Sequence, residues 1–259
     1  MKHLLKLIAL VMITTINSTI AQTGITKVKL LEQQLDDVME ITDTTLLKEK
    51  LKEVEASYEL KTDELNKLRL GIIYHETALN FSFLSKTNFM GYAKKSFDVL
   101  SELLNSPTTS IDLLPFISSY RASALSLVSA ETKKLNLLGE AFSLFKETVT
   151  NYSEVSYLPE FLRGSVAENL PTFFFRKRKS AKKDFYNIIL KYEKNTNYAN
   201  GKVMSFTYWA WAKQHQAKKY RKQALLYLDA AIHLDPTYKA GRKRAEILKK
   251  QLTYNNSTN

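Results

Sequence analysis

The chain has no cysteine among its 259 residues. That excludes disulfides, thiolate metal ligands, a cysteine nucleophile and the lipid-modified cysteine that tethers a bacterial lipoprotein. Stability must then come from burying a core, for which the chain is long enough. Glycine and proline are scarce as well, seven and five. The glycines, at 24, 71, 91, 139, 164, 201 and 241, stand alone, so there is no glycine-rich phosphate loop. The four histidines lie at 3, 75, 215 and 233, never three or four residues from one another as a helical zinc motif requires. No metal and no cofactor is therefore expected, and a non-enzymatic role is expected with them. A carboxylate pair that meets only in the fold is the one catalytic arrangement this leaves open, and an envelope hydrolase is the reading that would use it.

Long hydrophobic runs are also missing. The longest, Leu7 to Ile16, falls well short of the ~20 apolar residues a membrane-spanning helix needs. With Lys2 and Lys6 before it and Ser18-Thr19-Ile20-Ala21 after it, it has the three parts of a secretory signal peptide. The expectation is export with cleavage after Ala21, to the periplasm or the exterior, without a lipid anchor.

What the sequence does contain is helical periodicity. Val28, Leu31, Leu35 and Val38 form one apolar stripe, and Leu47, Leu51, Val54 and Tyr58 another, each stepping by three and four. Residues 22–60 therefore read as amphipathic helices. Prolines 107, 115, 159, 171 and 236 fall where periodic segments start or stop. One spacing recurs: Ala93/Phe97/Leu100, Ala141/Phe145/Thr148, Ala181/Phe185/Ile188 and Ala224/Leu228/Ala231. Positions i, i+4 and i+7 share a helix face, where a small alanine lets a neighbouring helix approach beside a large side chain. Each copy follows another helical segment, roughly 65–84, 112–130, 154–170 and 203–217, so the repeating unit is a helix pair. A compact helical bundle is the alternative.

The last copy carries a family resemblance. Ala224, Leu228, Ala231 and Pro236, ending in Ala-Ile-His-Leu-Asp-Pro, are similar to the second helix of a tetratricopeptide (TPR) repeat. Its first helix departs from the family, with Tyr208, Trp211, Ala212 and His215 where tryptophan, leucine, glycine and tyrosine are favoured. Leu70, Gly71 and Tyr74 match that first helix better, but their second helix begins late. The resemblance implies an all-α fold, an α-solenoid of antiparallel helix pairs over 61–252 with its best repeat at 203–236. Lys239 to Leu252 would cap it, and 253–259 would be a disordered tail. It also implies a groove lined by the first helices. Carried onto this chain, the groove positions are Phe206, Trp209, Lys213 and Gln216 in the best repeat and Ile72, His75 and Glu76 in the early one. Such a lining suits a protein or peptide partner and so an adaptor of the cell envelope. The carboxylate clamp of chaperone-tail binders is not supported, because Trp209 stands in one of its places.

Charge is divided along the chain. Residues 22–130 hold 12 basic and 15 acidic side chains, residues 131–259 hold 24 and 11. The densest basic stretch, Arg176, Lys177, Arg178, Lys179, Lys182 and Lys183, follows Phe173, Phe174 and Phe175 directly. It could bind an anionic membrane or glycan surface; the simpler expectation is a solvated helix start with the phenylalanines turned inward. Export makes nucleic acid an unsuitable physiological partner. Gly164, inside a helical segment, suggests close helix approach, with Arg163 a buried partner for Glu168 or for another helix's acid.

Overall fold

The structure, a computed structural model, describes residues 27–81 and 90–254. The expected signal peptide, 1–21, and residues 255–259 of the expected tail lie outside the described residues. Among the described residues eleven α-helices follow one another and no strand occurs. They are α1 (27–35), α2 (Thr44–Leu60), α3 (Glu64–Phe81), α4 (Tyr92–Asn105), α5 (Leu114–Thr132), α6 (Leu135–Tyr152), α7 (Leu158–Asn169), α8 (Phe175–Lys194), α9 (Gly201–Gln214), α10 (Arg221–Leu234) and α11 (Arg242–Tyr254). Local chemistry starts several of them. Asp43 accepts from the amides of Thr45 and Leu46, both at 2.9 Å, to cap α2. Asn200 accepts from the Val203 amide at 2.9 Å to cap α9. Pro115 and Pro159 open α5 and α7, where a missing amide costs nothing.

Packing makes this an all-α solenoid. The pairs are α3/α4, α5/α6, α7/α8 and α9/α10, and α4, α6 and α8 each also meet the first helix of the next pair. The first helices α3, α5, α7 and α9 contact one another in a row, α2 backs onto α3, and α11 closes the far end on α10 and α9. The alanine spacing found in the sequence falls entirely on the second helices α4, α6, α8 and α10. Eleven of its twelve residues are buried; Phe97 is half-buried, and Ser96 takes the inner position, donating to the Gly71 carbonyl at 2.7 Å.

Two glycines mark where first and second helices meet most closely. A Cβ on Gly71 would lie 2.6 Å from a Leu100 methyl, and one on Gly164 would lie 3.0 Å from the Phe185 ring. Beside Gly164, Arg163 reaches Asp184 of α8 with both arms of its guanidinium, at 2.8 and 2.6 Å. The acid is thus on another helix and is not Glu168. Burial raises the Asp184 carboxyl to about 6 even with Arg163 beside it.

Residues 27–43 pack against parts of the chain far away in sequence. α1 lies across the amino-terminal ends of the first helices. Arg69 of α3 holds Asp37 with two hydrogen bonds of 2.7 Å and also donates to the Gln34 carbonyl. Ser156, ahead of α7, donates to Glu32 at 3.0 Å, and Lys29 donates to the Tyr198 carbonyl ahead of α9. Lys202 of α9 donates to the carbonyls of Asp36 and Met39 and pairs with the Asp36 carboxylate at 2.9 Å. Thr42 ends the run by donating to the Lys239 carbonyl at 2.7 Å. The apolar stripe beneath, with Leu35, Val38 and Met39 fully buried, joins the main core.

Candidate functional site

Past residue 43 no described residue of the N-terminal segment covers the inner face, and a cavity of about 250 Å³ remains among the described residues. The row of first helices builds it: His75, Glu76 and Leu79 from α3, Ser123 and Leu127 from α5, Leu162, Ser165 and Val166 from α7, and Phe206 from α9. Glu40, Ile41 and Thr42 close the side nearest the N-terminal segment, and Arg244 of α11 stands at the mouth. The volume lies below the ~300–1,000 Å³ of pockets that enclose drug-sized ligands. It suits one or two side chains of a longer partner.

One wall is aromatic. The Phe206 ring meets Phe161 at 5.6 Å, Phe185 at 5.9 Å and Trp209 at 5.2 Å, all edge to face. Arg244 lies 5.4 Å above the Trp209 ring and Lys213 lies 5.3 Å from it. Lys213 also pairs with buried Glu168 at 2.8 Å.

The opposite wall is polar. His75, fully buried, places Nε2 2.7 Å from Ser123 Oγ and Nδ1 3.3 Å from Glu76 Oε1. Tyr120 packs edge-on against the His75 ring, with its buried hydroxyl beside Glu76. Ser165 Oγ, on the cavity wall, is buried without a hydrogen-bond partner among the described residues. Glu40 has a left-handed backbone, with φ of 57°, a conformation that stores strain in a residue with a long side chain. Burial lifts its carboxyl well above the ordinary range, the charge of Glu76 adds to the rise, and Lys202 opposes it. The Tyr120 hydroxyl is raised for the same reasons, burial first and then the charges of Glu76 and Glu40. Among the described residues no group of three or more His, Cys, Asp or Glu is placed to hold a metal ion.

The groove residues expected from the sequence separate on inspection. His75, Glu76 and Phe206 line the cavity. Trp209 is half-buried against Phe206 rather than lost in the core, and Lys213 stands beside it. Ile72 is fully buried, and Gln216 lies past the end of α9, exposed, donating to the Lys213 carbonyl. Sequence reasoning missed Ser123, Ser165, Glu40 and Arg244. Ser165 sits one turn beyond Phe161 and Leu162 on the same helix face, which the i, i+3, i+4 rule could have found; the place of Glu40 depends on a long-range fold-back and had no local signal.

The basic run is placed differently from its simpler expectation. Phe173 is 69 % exposed and Phe175 58 %, with only Phe174 half-buried, so these rings are not turned inward. A short 3₁₀ turn, Thr172–Phe174, presents the first of them just before α8.

No protein-family model, no curated protein and no solved structure matches the chain.

Proposed function

We propose that the protein is a non-enzymatic adaptor whose groove takes an apolar anchor and its flanking peptide from a protein partner. The observation that carries this reading is the apolar cavity on the inner face, left open among the described residues, directly beyond a stretch where the same groove already holds an amphipathic helix, its own α1. A groove that accepts α1 through apolar burial and carbonyl contacts has the chemistry to accept a second segment end to end with it. Leu127, Leu162, Val166 and Phe206 would bury the anchor, and Glu40 and Glu76 favour a donor or a cation beside it. The repeat is read as a degenerate TPR, and the chain as an exported one acting in the periplasm or outside the cell.

Selection of binders from an arrayed peptide library tests this. Peptides with an aromatic or aliphatic anchor should bind the wild type, and Leu127→Asp, which puts a charge on the cavity wall, should lose them by about tenfold or more. Peptides retained equally by Leu127→Asp would end the groove reading.

A second reading rests on one observation, the contact of Ser123, His75 and Glu76 in nucleophile, base and orienting-acid order. An ester or amide hydrolase is the activity that order would serve. Against it, Ser123 lies inside α5, where the helix ladder already engages the backbone amides that an oxyanion would need. A fluorophosphonate probe decides between the readings: covalent labelling lost in Ser123→Ala supports the hydrolase, and no labelling leaves the adaptor.

A further inference from the structure

The outward face of α8 has a composition that the groove does not explain. At 100° per residue, Phe175, Arg176, Lys179, Lys182, Lys183, Tyr186 and Leu190 fall within one sector about 120° wide. All seven are exposed, while Ala181, Asp184, Phe185 and Ile188 on the other side are buried. From Pro171 to Leu190 no exposed side chain is acidic. Three cations of the run have contacts within the fold: Arg178 donates to the Leu170 carbonyl, Lys177 lies 4.7 Å from the Phe142 ring, and Arg176 lies 5.9 Å from the ring of its exposed neighbour Phe175. Arg176, Lys179, Lys182 and Lys183 make no ion pair among the described residues.

Both features run against what a free helix prefers. The first turns of α8 contain no acid and no capping side chain, and the cations gathered there face the positive end of the helix dipole. Phe173 and Phe175 stand beside them with most of their surface in solvent. An anionic surface with an apolar layer beneath it answers both at once, since head groups neutralise the cations and the rings enter the interface.

We propose that the outer face of α8 and the turn before it form a docking surface for an anionic lipid bilayer. The protein lies on the membrane rather than through it, and no helix among the described residues is long and apolar enough to cross one. Phe173 and Phe175 sit at the head-group level with Tyr186 and Leu190 further along the same face. The lysines hold phosphate groups around them. The two exposed rings select lipid over a soluble polyanion, which offers them no apolar phase. The surface belongs to second-helix α8 and is independent of the groove on the first helices.

Co-sedimentation of the full mature chain with phosphatidylcholine vesicles, with or without added phosphatidylglycerol, tests the proposal. Binding is expected only with phosphatidylglycerol and should fall at high salt. Phe173→Ser with Phe175→Ser, and separately Lys179→Ser with Lys182→Ser and Lys183→Ser, should each weaken it by about tenfold or more. All five side chains are exposed, so helical circular dichroism should be unchanged in both variants. If the charge variant loses binding and the phenylalanine variant keeps it, the surface holds polyanions and not bilayers, and the proposal is overturned. No binding to phosphatidylglycerol vesicles at low salt, or binding by both variants as strong as the wild type's, overturns it too.

Discussion

The two halves of the inner face are lined by the same four first helices and yet end in opposite states. At the amino-terminal ends of α3, α5, α7 and α9 the groove is filled by residues 27–43, which leave Leu35, Val38 and Met39 without solvent contact. Further along the same helices the groove stays open, among the described residues, around Leu127, Leu162 and Phe206. The filled half meets its occupant with the Arg69–Asp37 and Lys202–Asp36 pairs. The open half presents Glu40, Glu76 and Arg244, none of which pairs with an opposite charge across the cavity among the described residues. The difference teaches that first-helix surface alone does not define a binding site here; what distinguishes the halves is which charges remain unanswered.

The comparison can be broken most sharply by trimming one leucine from each half. Leu35→Ala should cost about 2–5 kcal/mol in urea denaturation, because it leaves an enclosed cavity. Leu127→Ala, whose side chain already borders an open space, should cost under about 1 kcal/mol. Equal costs would mean that the open half is as tightly packed as the filled one. A smaller effect is expected from Lys202→Ala, which removes both carbonyl contacts and the Asp36 pair, for a loss of about 1–3 kcal/mol. Hydrogen exchange should show that loss as faster exchange over residues 36–43, with little change at α4 or α6. If those residues stay protected, Lys202 does not hold the segment down.

Protonation sharpens the contrast further. Folding raises the Glu40 carboxyl above its unfolded value, chiefly by burial, so ionisation works against the folded state. Wild-type stability is then whole below the ordinary carboxylate range and declines as pH rises from there toward the raised folded value. Glu40→Gln keeps the shape and removes the ionisation. It should match the wild type near pH ~4 and exceed it increasingly toward neutrality. A constant difference across that range would show that Glu40 is solvated. A modest effect is expected at Trp209→Ala. Half-buried at the groove margin, it should lower stability by only about 1–2 kcal/mol while weakening any peptide held in the open half.

Much of the fold could be read from the sequence because its signals are local. Ala141, Phe145 and Thr148 sit on one face of a single helix, and spacing alone reveals that face. The first-helix segments anticipated near 65, 112, 154 and 203 begin in fact at Glu64, Leu114, Leu158 and Gly201. The stripe of Val28, Leu35 and Val38 was equally legible as a buried face, but what buries it was not. Lys29 meets a carbonyl at Tyr198, 169 residues away, and periodicity carries no information about a partner so distant. Glu40 was invisible for the same reason, since its place in the site depends on where the segment stops. Ile72 shows the converse error. Transfer of a family position onto α3 put it in the groove, whereas helix packing buries it completely. Phe173 and Phe175 failed differently, because apolar character predicts burial only on average.

The segment that crosses the first helices has one more consequence. A stack of repeats whose members touch only their neighbours melts piecemeal, fraying from its ends inward. Residues 27–43 touch α3, the start of α7 and the start of α9 together, and so tie the first pair to the last. Early and late pairs then share one cooperative unit, and loss of either end should bring down the whole array in a single transition.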